Sequence, residues 1–331
     1  MSHDMLVREI GASGVAASAI GLGTWAIGGW MWGGTDEGKS IAAIHSALDE
    51  GISLIDTAPA YGMGLAEEIV GKAIRGRRDK VVLATKCGLV WHTRKGNHFF
   101  DYEGKPVHRH LGRESIIYEL EQSLKRLGTD HIDHYITHWQ DPTTPIADTM
   151  ATLEDLKRQG KIRSIGASNL TVAEFDSYVA AGPLDAIQEE YSMIRRGIET
   201  TLLPACAVHG VSTLSYSSLA LGLLSGGIGP DRVFEGDDQR QDNPRFSIAN
   251  REKVARLMRE IDPIAEANHA TPGQIVIAWT IQQPGITFSL CGARNPDQAR
   301  QNAQAGRIRL SPADVHQISE AATRHLTELD A

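Results

Sequence analysis

Cysteine is scarce in this sequence: Cys87, Cys206 and Cys291 are the only three in 331 residues. They are odd in number, far apart and never in a CxxC, so neither a disulfide framework nor a cysteine zinc site is indicated. Blocks of Lys or Arg are also missing, and the net charge is −8. A nucleic-acid or anionic-membrane partner is therefore not implied. No apolar run approaches the ~18 residues of a membrane span. The opening MSHDMLVREIG lacks the basic head and apolar core of a secretory leader. Together these absences predict a protein of the reducing cytoplasm. With no low-complexity tract and no linker, residues 1–331 are expected to form one domain.

What is present is ordinary for a chain with a large core: 41% hydrophobic and 22% charged residues, which excludes disorder as the dominant state. One pattern recurs. An amphipathic stretch ends in glycine, and a short apolar strand follows. The glycines are Gly51, Gly76, Gly128, Gly160, Gly182 and Gly210, expected just past helix ends because glycine takes positive φ freely. The strands read as 18–24, 52–56, 80–86, 131–138, 162–168, 184–189, 211–216 and 286–292. They are apolar on both faces, as parallel strands buried on both sides must be. Between them, 36–50, 113–127 and 145–159 each carry an apolar helical stripe. Eight strands alternating with helices predict an α/β fold, a (β/α)8 TIM barrel. Strand count by itself leaves a doubly wound sheet open.

Three segments break the rhythm. Residues 5–17 precede the first strand and centre on GASG, which predicts a small hairpin. Residues 87–112 read as a long Gly/His-rich connection, and residues 224–250 as a polar, glycine-rich loop. Loops this long usually carry function. The tail from 311 reads as a final helix, with Ser311 as cap and Pro312 at its first position.

In a barrel of this kind the chemistry sits at the C-terminal ends of the strands. The polar residues there are Asp56, Lys86, His138, Ser168 with Asn169, Gln188 and Tyr216. A charge at the end of a buried strand needs a partner, and Asp56 and Lys86 lie on adjacent strands. Tyr61 follows in a TAPAYG turn that folds back over the mouth. A free phenol titrates near 10, and a neighbouring ammonium draws it down. Lys86 is expected to do this, with Asp56 keeping it charged. His138 is placed to donate to a carbonyl oxygen as charge develops there, and Tyr61 to deliver the proton that completes an alcohol. No side chain is an electron source, so a hydride cofactor is required. Singly, each residue has an ordinary structural explanation; the combination points to reduction.

The stretches GLGTWAIGG, GISLIDTAPAYGMGLAEEIVGKAI, KVVLATKCG, DHIDHYITHWQDP, TPIADTMATLEDLKRQGKIRSIGASN and GARNPDQARQN together resemble the aldo-keto reductase superfamily over nearly the whole chain. The branch resembled is the bacterial one that includes general-stress and inositol-associated reductases. The resemblance implies a barrel closed at its bottom by an N-terminal hairpin and a catalytic tetrad of Asp56, Tyr61, Lys86 and His138. It also implies NADPH lying extended across the mouth without a Rossmann motif. Gly23, Thr24 and Trp25 would border that cofactor. Ser168, Asn169 and Gln188 would hold the nicotinamide carboxamide, and Tyr216 would stack on its ring. Ser217, Leu219 and Gly222 would line the pyrophosphate. Here the family's YSPLGxGLL reads YSSLALGLL, with Ser218 in place of proline. Gly292 opens the adenosine loop, Arg294 would meet the 2′-phosphate, and Gln298, Gln301 and Asn302 would hold phosphate and adenine. A guanidinium matches a phosphate bidentately, which favours NADPH over NADH.

Trp25, Trp30, Trp32 and Trp139 follow strands one and four and would form an aromatic substrate wall, since pockets are mostly apolar; core packing explains Trp30 and Trp32 equally well. His92, His98, His108 and His110 crowd 87–112 and read as surface histidines of a lid rather than a metal site. The partner implied is a small aldehyde, dicarbonyl or ketose. A cofactor-holding regulatory protein and a metal-dependent hydrolase are the competing classes.

Overall fold

The structure is a computed structural model describing residues 4–327 and 329. The chain begins with β1 (Val7–Glu9) and β2 (Ala16–Ser18), an antiparallel pair. The barrel then starts with β3 (Ile20–Gly23), helix α1 (Glu37–Asp49), β4 (Leu54–Asp56), α2 (Leu65–Ala73) and β5 (Val82–Cys87). A three-stranded antiparallel sheet intervenes: β6 (Leu89–Val90), β7 (Asn97–Tyr102) and β8 (Lys105–Arg109), in the order β6-β8-β7. The alternation resumes with α3 (Arg113–Leu127), β9 (Ile132–Thr137), α4 (Ile146–Arg158), β10 (Ile162–Ser168), α5 (Val172–Ala181), β11 (Ala186–Glu190), α6 (Leu202–His209) and β12 (Ser212–Tyr216). Helices α7 (Ile248–Ala267) and α8 (Pro272–Ile281), β13 (Phe288–Gly292), α9 (Pro296–Ala305) and α10 (Pro312–Leu326) complete it. Strands β3, β4, β5, β9, β10, β11, β12 and β13 pair in parallel and close into an eight-stranded barrel.

The expected strands are therefore the barrel strands, shortened by a residue or two at some ends. Their interior is filled by Leu54, Ala84, Ile136, Ala186, Leu214, Phe288 and Leu290, and Ile10, Val15 and Ala17 of the hairpin plug the bottom. Gly21 supplies the small side of this layer: a methyl there would come within 2.6 Å of Leu290. Helix ends follow the glycine rule with one exception. Gly128 and Gly210 are left-handed C-caps, whereas Gly182 has φ 169, extended backbone.

The segment 87–112 departs from the expected connection. It folds into the β6–β8 sheet, whose Leu89, Val107, Phe100 and Tyr102 pack with Ala60 and Met63. Residues 224–250 do remain mostly turn, with short 3-10 turns at their edges. The tail helix forms with Ser311 and Asp314 in a reciprocal capping box; residues 328, 330 and 331 lie outside the described residues. Among the described residues no helix is long and apolar enough to cross a membrane.

Candidate active site

Strand ends β4, β5 and β9 lie side by side, with Asp56 paired to Ala84 and Lys86 to Ile136 in register. Alternation sends Asp56 and Lys86 inward above the apolar layer. Lys86 is fully buried and Asp56 is 3% exposed. The Lys86 ammonium donates to both Asp56 carboxylate oxygens, at 2.9 and 2.8 Å, and to the Thr57 carbonyl at 3.0 Å. Its remaining neighbour is the Tyr61 hydroxyl at 3.1 Å. Gln188 Nε2 donates to Asp56 Oδ1 at 2.8 Å from across the barrel. So the buried charge pair is hydrogen-bonded on several sides, the condition under which such a pair is tolerated.

Tyr61 is aimed by glycines. A Cβ on Gly28 would come within 2.6 Å of Tyr61 backbone carbon, and one on Gly62, at φ 65, within 2.3 Å of the Gly28 carbonyl. Only bare backbone lets the 25–34 loop press on this turn. The Tyr61 ring meets His138 edge-on at 5.8 Å and stacks against Trp25 at 6.4 Å. Burial holds the Tyr61 phenol above the ordinary tyrosine range; Lys86 lowers it, Asp56 raises it, and burial dominates. Lys86 draws the phenol down as expected, but burial outweighs it. Burial opposes the charge on Lys86, yet Asp56 and then Tyr61 hold it above the usual lysine value. His138 is pushed well below the imidazole range, first by burial and then by Lys86. The cleft therefore carries a protonated phenol, a fixed ammonium and a neutral imidazole around one opening. Such a set can donate a proton to an oxygen that is gaining negative charge.

The remaining expected residues spread along the mouth. Ser168 donates to the Gln188 carbonyl at 2.6 Å. Asn169, left-handed at φ 60, donates to the His138 carbonyl at 3.0 Å and accepts from the Tyr216 hydroxyl at 2.7 Å. Thr24 is turned inward, donating its hydroxyl and its N–H to the Asp56 carbonyl, each at 3.0 Å. After β12 the backbone turns left-handed at Ser217, Ala220, Leu221 and Gly222. Non-glycine residues resist that conformation, and such strain concentrates at ligand clamps. Gly23 and Gly292 are in register on β3 and β13, and a Cβ on either would meet nothing nearer than backbone at 3.8 Å.

Further along, Asn295 caps α9, giving a positive helix end. Asn302 donates to the Gly292 carbonyl at 3.0 Å, Gln298 accepts from Arg294 N–H at 2.8 Å, and Gln301 is exposed. Arg294 donates to the carbonyls of Trp32 and Gly34 at 2.8 and 2.7 Å. Left-handed turns, paired glycines, a capped helix and an arginine along one edge fit an extended dinucleotide. A reduced nicotinamide cofactor held there would supply hydride.

The tryptophans divide. Trp25 and Trp32 meet edge-to-face at 5.5 Å beside Tyr61. Trp30 packs on Phe100 at 5.4 Å and Tyr102 at 4.9 Å of the small sheet, and Trp139 on Phe99 at 5.2 Å. The sheet is thus a wall beside the mouth. His98 and His108 meet within it at 5.6 Å between ring centres, while His110 contacts Asp141 at 3.3 Å and His92 the Ser115 hydroxyl at 3.4 Å. Among the described residues no group of three or more His, Cys, Asp or Glu is arranged to hold a metal ion.

Several supports had no signal in the sequence. Asp141 accepts from Leu111 N–H, Thr143 N–H and the hydroxyls of Thr143 and Thr144, at 2.7–2.9 Å. Glu119, pushed up to about 8 by burial, accepts from Gly88 N–H at 2.9 Å. Glu67 takes the Thr85 hydroxyl and Arg126 Nε, each at 2.6 Å. Glu67 and Glu119 sit on helices and Asp141 on a loop, and they hold side chains or loop N–H groups distant in sequence, a relation no local spacing encodes.

Known proteins bear on this geometry. The aldo/keto reductase family model matches residues 19–323. Aldo-keto reductase YhdN of Bacillus subtilis is 45% identical over 297 residues, 89% of this chain and 86% of that one. The NADH-specific methylglyoxal reductase of Escherichia coli is 41% identical over 319 residues, 95% of this chain and 97% of that one. Among solved structures, the glycerol dehydrogenase AKR11B4 from Gluconobacter oxydans superposes with TM-score 0.87 at 36% identity, covering 100% of this chain and 98% of that one. An aldo/keto reductase from Klebsiella pneumoniae in complex with NADP and acetate gives TM-score 0.73 at 30% identity, covering 98% and 96%. A closed eight-stranded parallel barrel, this family match and these relatives converge: the chain belongs to the aldo/keto reductase family, an oxidoreductase family.

Proposed function

We propose that this protein reduces small aldehydes and ketones to alcohols with NADPH as hydride donor. The observation that carries the reading is the Tyr61 hydroxyl, 3.1 Å from a Lys86 ammonium that is itself held by Asp56. Tyr61 donates its proton to the carbonyl oxygen as negative charge builds there. Lys86 stabilises the phenolate left behind. His138, neutral, orients the carbonyl by hydrogen bonding. Gln188 and Asn169 hold the carboxamide end of the cofactor, Tyr216 covers its ring, and the 217–222 turn and residues 292–302 take its phosphates and adenosine. Trp25, Trp30, Trp32 and Trp139 bound the substrate.

The choice of NADPH rests on Arg294. In this structure its guanidinium rests on two neutral carbonyls. A 2′-phosphate offers a bidentate acceptor that carries a full opposite charge, which two neutral carbonyls do not. Arg294→Ala is expected to weaken NADPH binding by about tenfold or more, ~1.4 kcal/mol, and NADH binding little. Fluorescence titration of both variants with both nucleotides checks this, and equal losses would detach Arg294 from the phosphate. The contrast is informative because one relative bears the name NADH-specific methylglyoxal reductase. The function itself is tested by absorbance decay of NADPH with a panel of small carbonyls. Tight nucleotide binding without any carbonyl-dependent decay would overturn the reductase reading.

A further inference from the structure

Glu189 lies on β11 next to Gln188, so strand alternation turns it away from the barrel interior toward the helical layer. It is 6% exposed, and burial pushes its carboxyl up to about 8. Among the described residues no cation pairs with it; the other charge that acts on it is Glu174, of like sign. A carboxyl so placed is worse for folding than an apolar side chain of the same size, unless its oxygens satisfy something. They satisfy backbone. Glu189 Oε1 accepts from Leu170 N–H at 2.9 Å, and the neighbouring Asn169 N–H donates to the Gln188 carbonyl at 3.3 Å.

Asn169 and Leu170 are the bend between β10 and α5, where Asn169 is forced to φ 60. Left-handed asparagine is tolerated but is not the resting conformation of a non-glycine residue. Held there, the Asn169 amide reaches three places: the His138 carbonyl at 3.0 Å, the Ser168 hydroxyl at 3.1 Å and the Tyr216 hydroxyl at 2.7 Å. It thereby ties the end of β9 to the end of β12 across the mouth.

We infer that Glu189 is a positioning residue: by clamping the 169–170 backbone it aims the Asn169 amide, which in turn fixes His138 and Tyr216 for the reaction. This rests on the proposed reductase function. Glu189 touches neither substrate nor cofactor and acts only through Asn169.

The test compares E189Q, which keeps an acceptor oxygen, with E189M, which matches the volume and lacks one. Each is also combined with Asn169→Ala. Melting temperature, nucleotide dissociation constant, kcat and KM are measured for all. E189Q is expected within about twofold of wild type. E189M is expected to weaken nucleotide binding and lower kcat, each by about tenfold, with carbonyl KM little changed, as misplacement of aligned groups does. In the Asn169→Ala background E189M should add less than about twofold, because coupled residues are non-additive. If E189M does not fold, E189A is read in the same assays. A variant that lowers melting temperature alone, or whose losses are fully additive with Asn169→Ala, overturns the proposal. A wild-type protein that binds neither nucleotide would sink the reductase reading and this with it. Wild-type binding with E189M unchanged sinks this inference only.

Discussion

Tyr61→Phe is expected to lower kcat for carbonyl reduction by about 10²–10⁴-fold, the range typical of a lost general acid, while leaving nucleotide affinity close to wild type. The ring, its edge contact with His138 and its stacking on Trp25 all survive the change; only the hydroxyl 3.1 Å from Lys86 Nζ is removed. Single-turnover decay of bound reduced nucleotide, with a parallel binding titration, separates the two quantities. Retained turnover would remove Tyr61 from the acid role. The pH profile is a companion readout. Burial keeps the phenol above its ordinary range, so the protonated, competent form persists through neutral pH. Reduction should stay flat there and fall only above about pH 10, the ordinary tyrosine value. A fall centred near neutral pH would mean that Lys86 draws the phenol down after all.

The sequence made the barrel legible because each parallel strand must be apolar on both faces, and each helix must end before it. The same logic located Asp56, Lys86 and His138, since a charge or imidazole stands out at the end of an apolar run. It did not reveal the β6–β8 sheet: β7 and β8 are a local hairpin turning at Glu103-Gly104, both at positive φ, while Leu89 and Val90 of β6 reach across to Arg109 and His108. At Gly96 a Cβ would fall within 2.1 Å of the Arg109 carbonyl, so tertiary contact, not local propensity, selects the residue. Nor could spacing weigh burial against charge at Tyr61, because both depend on how deep the ring sits. Arg294 illustrates a further limit. Its place just after β13, before α9, was readable, but its engagement with Trp32 and Gly34, some 260 positions earlier, was not.

Lys86→Met is expected to be the most damaging single change to the fold and the reaction together. It leaves Asp56, 3% exposed, with Gln188 Nε2 as its one remaining side-chain donor in the site. Breaking a buried ion pair from one side typically costs about 3–5 kcal/mol, because a charge is stranded in a low-dielectric interior. Urea denaturation should show that loss directly. The reaction suffers separately, since phenolate at Tyr61 would form without a neighbouring cation. Adding Asp56→Asn in the same chain removes the stranded charge, so the double variant should recover part of the stability and none of the activity. Stability tracks the pair; catalysis tracks the ammonium beside Tyr61. If the single variant were as stable as wild type, the bond network around Asp56 would be structurally idle. If the double variant regained turnover, proton delivery would not depend on Lys86, and the 3.1 Å contact to Tyr61 would be mere packing.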